Sequence, residues 1–223
     1  MYDPHDGTQL TPGIGLVDTA RRGTSLLDQV LGWLALSLLI TTAGVYAAIA
    51  IGVAFPWFVY LIAMFGLIFA IQGAVRAGNT PLAATLFAVF AFVEGIFLGP
   101  VISYYLRVAP DAVGNAILGT AGIFVGCGAV VWVTNRSFAA WGKWLFGALI
   151  VGIVLIIAGI FIPINQLLID LFLGVVFVGL TLFDFWRVKA QRPGDGALLI
   201  ALSLYLDFIN LFLILLRVFG RRR

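Results

Sequence analysis

The sequence predicts an all-α integral membrane protein of seven transmembrane helices, with the last helix central in the bundle. Three observations carry this. The chain of 223 residues is 62% hydrophobic and 10% charged, whereas soluble domains hold about 45–50% apolar and about 25% charged residues. Its apolar runs are continuous rather than alternating, so the spanning elements are helices, which satisfy their own backbone groups in hydrocarbon. The runs number seven and each is about 19 to 25 residues long, the length that about 30 Å of hydrocarbon requires at 1.5 Å per residue.

Taken in order, residues 1–28 form a polar N-terminal tail ending near Arg21 and Arg22. No short apolar core precedes a small-residue cleavage site there, so no signal peptide is expected. The transmembrane domain occupies 29–220, with runs at about 30–53, 57–75, 82–106, 112–133, 144–162, 167–186 and 197–219, and 221–223 form a basic tail. The breaks fall at turn-formers: Pro56, Gly78-Asn79-Thr80-Pro81, Pro110-Asp111, Asn135 with Gly142, Pro163, and Arg192 to Gly196. Such short connections imply antiparallel neighbours. The tryptophans at 33, 57, 132, 141, 144 and 186 lie near run ends, where an interfacial aromatic belt is expected.

Basic residues set the orientation. With the N-terminus in the cytoplasm, that side holds Arg21, Arg22, Arg76, Arg136, Lys143, Arg187, Lys189 and Arg192, against Arg107, Arg217 and Arg221 to Arg223 outside. The expected location is therefore the cell membrane, multi-pass, N-terminus inside. The C-terminal arginines dissent: either the seventh segment is re-entrant, or the tail is an exception to a topology fixed by earlier helices. These scattered charges form no basic face, which argues against nucleic acid as a partner despite the net charge of +3.

Several chemistries are excluded. One cysteine, Cys127, and one histidine, His5, leave no intrachain disulfide and no His/Cys metal cluster; Cys127 reads as a small buried side chain. The only lysines, Lys143 and Lys189, lie near loops, so no retinal-type Schiff base is available. With no intramembrane histidine, proteolysis is not expected either, and the chain is read as no enzyme and as needing no cofactor.

Acids inside the spans are the informative residues, since a charge at the bilayer centre costs about 2.5 to more than 10 kcal/mol. On the seventh segment Ser203, Asp207, Asn210 and Arg217 share one helical stripe, which must face protein or water. The segment is so apolar elsewhere that it suits the bundle centre. Asp207 alone could be a neutral acid hydrogen-bonded across helices. Asp184, near the inner end of the sixth segment, could be an interfacial acid neutralised by Arg187 or Lys189. Across the short loop, however, the two can lie at similar depth. Two carboxylates facing each other in low dielectric cannot both ionise freely, so such a pair shares a proton; doubly ionised, it suits a hard cation such as calcium. Glu94, in AFVEGIFLGP, either lines a permeation path or hydrogen-bonds beside Gly95 and Gly99, whose size permits close helix approach. Asp170, near the outer surface, reads as solvated.

The run ALSLYLDFINLFLILLRVFG resembles the C-terminal signature of the Bax inhibitor-1 family, also called the transmembrane Bax inhibitor motif family, in its prokaryotic form. FVEGIFLGPVISYY in the third segment and LTLFDFWRVKAQ in the sixth fit the same resemblance, which covers about residues 25 to 220. It implies six helices wrapped as two three-helix layers around a central seventh. It also implies a pH-sensitive calcium leak whose sensor and ion-binding pair matches Asp184 and Asp207, with a latch arginine near the inner end of helix two, where Arg76 stands. Glu94, Asn210 and Ser203 are the candidate pore-lining residues. The partners expected are the bilayer, calcium ions and protons. The alternative function is a regulatory interaction protein restraining a membrane protease or a stress or cell-death pathway. Flux through purified protein alone supports the leak; an effect that needs a partner supports regulation.

Overall fold

The computed structural model describes residues 25–52, 55–134, 136–191 and 196–221. Most of the polar tail with His5, Asn135, the Arg192 to Asp195 break and Arg222-Arg223 lie outside the described residues. Seven helices follow in order: α1 (Leu26–Ile51), α2 (Trp57–Arg76), α3 (Thr80–Val108), α4 (Pro110–Val133), α5 (Trp141–Phe161), α6 (Gln166–Ala190) and α7 (Ala197–Gly220). All seven are long and apolar enough to cross a membrane.

Helix ends depart from the apolar runs where local chemistry intervenes. α1 begins at Leu26 rather than near residue 30, because Ser25 and Asp28 form a reciprocal capping box at 3.1 Å each way. It ends at Gly52, whose φ of 70° provides the left-handed cap. Asn79 and Asn165 cap α3 and α6 by accepting from the Leu82 and Leu167 amides. At the other end of the chain α7 runs unbroken for 24 residues, about 36 Å at 1.5 Å per residue, which is long enough for a full crossing.

α7 is central. In its spanning window 61% is buried, against 6% for α5 and 17% for α2. It packs against α1, α3, α4 and α6, while α2 rests chiefly on α3 and α5 on α6. The expected two triplets around a central helix are present, with α2 and α5 as outriggers. Lipid covers the outriggers' remaining faces, so the least anchored spans are these two.

The tightest seam joins α1 to α3. A Cβ on Gly95 would run into the Thr41 carbonyl, and one on Gly44 into the Phe92 carbonyl; Gly99 sits against Ala48 in the same way. Small residues let two backbones touch where hydrophobic driving force is absent. Gly95→Val should therefore lower stability by about 1–3 kcal/mol or more through overpacking, read as a drop in the unfolding midpoint of the detergent-solubilised protein. An unchanged midpoint would mean that the seam does not govern stability.

Candidate functional site

α6 and α7 lie side by side in antiparallel register, fixed by two polar contacts. Thr181 Oγ1 donates to Asp207 Oδ2 at 3.3 Å, and Arg217 Nε donates to Asp170 Oδ1 at 2.9 Å. Both acids are buried, Asp184 at 2% and Asp207 at 3% exposure, and they lie within electrostatic reach of each other.

Asp184 also meets Arg187, one turn along its own helix, at 2.9 Å from Nη1 to Oδ1. Of the two cations considered for it, Lys189 goes elsewhere. Its ammonium donates to the carbonyls of Val131 at 2.8 Å and Thr134 at 3.0 Å, capping the C-terminal end of α4 where the helix dipole favours a cation.

Arg76 makes no ion pair with either aspartate among the described residues. It lines instead a cavity of about 250 Å³ with Gln72 of α2, Arg187 of α6, and Ser203 and Leu206 of α7, a lining that includes neither aspartate. Two arginines from different helices thus share one cavity, and one of them, Arg187, contacts Asp184. Ser203 belongs to that wall, whereas Asn210 turns its amide back onto the Leu206 carbonyl at 2.8 Å. Among the described residues no group of three or more His, Cys, Asp or Glu could hold a metal.

Glu94 is separate from the pair. It is buried at 2% exposure, and Tyr60 Oη lies 3.2 Å from each of its carboxylate oxygens. They border a second cavity, of about 350 Å³, between α2, α3 and α7. Close by, Tyr205 is fully buried, its hydroxyl 2.6 Å from Thr41 Oγ1, which in turn donates to the Ala91 carbonyl at 3.0 Å. A polar layer therefore crosses α1, α2, α3 and α7 within the hydrocarbon span.

Asp170 corrects the sequence reading. It is not solvated: its exposure is 0%, and Arg217 converges on Oδ1 with Nη2 at 2.8 Å while Arg221 Nη2 stands 3.5 Å from Oδ2. A position four residues into a helix looks superficial, but α7 lies over it. The signal was present in Arg217, which shares the buried-facing stripe with Asp207 and so required an acid partner. Thr181 was legible too, one turn before Asp184 on the same face. Arg187 was considered, but only as a neutraliser, and Tyr60 carried no local signal.

The chain matches the model of the family described as "Inhibitor of apoptosis-promoting Bax1" over residues 23–223. It is 36% identical over 164 residues to an uncharacterized membrane protein of Streptococcus pyogenes serotype M3, an alignment covering 70% of each chain. It is 31% identical over 218 residues to the inner membrane protein YbhL of Escherichia coli, covering 88% of this chain and 92% of that one. A protein of Borreliella burgdorferi is 28% identical over 219 residues, with 88% and 92% covered.

Proposed function

We propose that this chain, which belongs to the Bax inhibitor-1 family, is a passive calcium leak of the membrane, gated by protonation of Asp184 and Asp207. The observation that carries the reading is the buried acid pair on α6 and α7, with Arg187 on Asp184 and Arg76 of α2, a helix anchored chiefly on α3, in the same cavity as Arg187. In this reading the N-terminus is cytoplasmic, the arginine cavity opens inward, and no catalytic step is involved.

The mechanism follows from charge. With both carboxylates ionised, Arg187 is held at Asp184 and the Arg76 guanidinium is attracted across the cavity, which draws the inner end of α2 toward α7. When the pair takes up a proton that attraction falls, the closed state loses its differential stabilisation, and α2 swings more readily on α3. The groove between α2 and α7, with Ser203 at its inner cavity and Glu94 at the outer one, becomes the path. Calcium takes 6–8 oxygen ligands, so two carboxylates bind it only transiently, with water filling the remainder. At still lower pH both acids are neutral and no anionic ligand draws calcium in.

The test is calcium flux into liposomes from about pH 5 to 8.5, the range in which a buried carboxylate pair can titrate. Flux should pass through a maximum in mildly acidic conditions. Arg76→Ala should keep the alkaline limb conductive, while Arg187→Ala, whose partner sits on the same helix, should do so less. If Arg76→Ala is as closed as wild type at alkaline pH, Arg76 is not the latch; if purified wild type passes no calcium at any pH, the leak itself is wrong.

A further inference from the structure

Buried acids in this bundle differ in what balances them. Asp170 has Arg217 and Arg221, and Asp184 has Arg187. Glu94 has the Tyr60 phenol, and among the described residues no cation pairs with it. Beside it lies open space of about 350 Å³, within the range of small-molecule sites, about 300–1,000 Å³.

The walls of that space are specific. Phe55, Tyr60 and Phe97 form a connected aromatic surface, with ring centroids 5.5 Å apart for Phe55 and Phe97 and 4.9 Å for Tyr60 and Phe97. Pro100, inside α3, has no N–H to give the Ile96 carbonyl, and both residues line the cavity. Its side-chain polar character is thus electronegative: a carboxylate and ring faces, with one hydroxyl as the donor. Val101 and Leu213 complete an apolar flank. A bare divalent ion would find too few oxygens here, since calcium takes 6–8. An organic cation would find a countercharge, ring faces that attract it, and an apolar trough for its chain.

We infer that the cavity between α2, α3 and α7 is a binding site for a lipophilic organic cation, an alkylammonium. Its head rests against Glu94 and the rings of Tyr60 and Phe97, and its hydrocarbon follows Val101 and Leu213. Phe55 at 50% and Val101 at 38% exposure form the mouth, which places the entrance at the bundle surface, where an amphipath arrives from the bilayer. An occupant wedged between α2 and α7 also opposes their relative motion.

Binding of radiolabelled hexyltrimethylammonium tests this, using the full chain in calcium-free nanodiscs of zwitterionic lipid. Neither calcium nor permeation enters the measurement, so it stands apart from the leak. Wild type should bind saturably above empty nanodiscs. Glu94→Gln, which retains a hydrogen-bond partner for Tyr60 but no charge, should bind at least about ten-fold more weakly, and Phe97→Leu several-fold more weakly. The uncharged isostere 2,2-dimethyloctane should fail to compete. Binding to wild type no greater than partition into empty nanodiscs, full retention in Glu94→Gln, or equal competition by the isostere would each overturn the assignment. Should Glu94→Gln fail to fold, Phe97→Leu and the isostere decide it.

Discussion

Calcium flux through Asp207→Asn is expected to vary little between about pH 5 and 8.5, where the wild type should pass through a maximum. The sign follows from the closed state. Closure is favoured by the doubly ionised pair, so raising the pH closes the wild type by removing the shared proton. The substituted amide has no titratable proton and permanently resembles the protonated acid. The alkaline limb should therefore stay conductive, and the ratio of flux at mildly acidic to alkaline pH should fall toward one. Folding should survive, because an amide oxygen can still accept from Thr181, which reaches Oδ2 of Asp207 at 3.3 Å. A circular dichroism spectrum and an unfolding midpoint near those of wild type would confirm that the variant is folded. If Asp207→Asn keeps the wild-type pH profile, Asp207 is not the sensor, whatever the fate of Arg76.

Arg217→Leu should be among the most destabilising single changes in the chain. Asp170 is fully buried, and Arg217 provides both of its close contacts, at 2.9 and 2.8 Å. Removing one partner of a buried pair leaves an uncompensated charge, at a cost of about 3–5 kcal/mol. The value should fall toward the lower end of that range, because Arg217 is 36% exposed and Arg221 still stands 3.5 Å from Oδ2. Denaturant unfolding of the detergent-solubilised protein reads the loss. The double variant Asp170→Leu with Arg217→Leu removes both charges and should recover much of it, since replacing a buried pair by apolar side chains is often neutral. A single variant as stable as wild type would show that water reaches Asp170 and that the pair is of little structural consequence.

The same acid engages two of the arginines counted against the expected orientation, Arg217 and Arg221. Arg217 and Arg221 are tied to a buried acid of α6, and so act as packing partners rather than as free topology signals. Their charges are counted in the sequence, but the carboxylate that absorbs them lies 47 residues from Arg217. In the same way the Glu94 pairing with Tyr60 spans 34 residues and the Tyr205 contact with Thr41 spans 164.

The features legible in the amino-acid sequence are those set by local chemistry. Continuous apolar runs fix seven helices, because hydrocarbon leaves the backbone no other means of satisfying its polar groups. The stripe of Ser203, Asp207, Asn210 and Arg217 identifies the protein-facing side of α7, because 3.6 residues per turn bring those positions together. The remaining features depend on which helices touch and in what register. A slide of α6 along α7 by one turn, about 5.4 Å, would exchange the neighbours of Asp184, Asp207 and Asp170 while leaving the hydropathy pattern almost unchanged. The burial of Asp170, the diversion of Lys189 to the end of α4 and the aromatic walls around Glu94 all follow from how the helices pack. Interhelical packing in lipid is specified by small residues and a few polar contacts, and each such contact joins positions far apart in the chain.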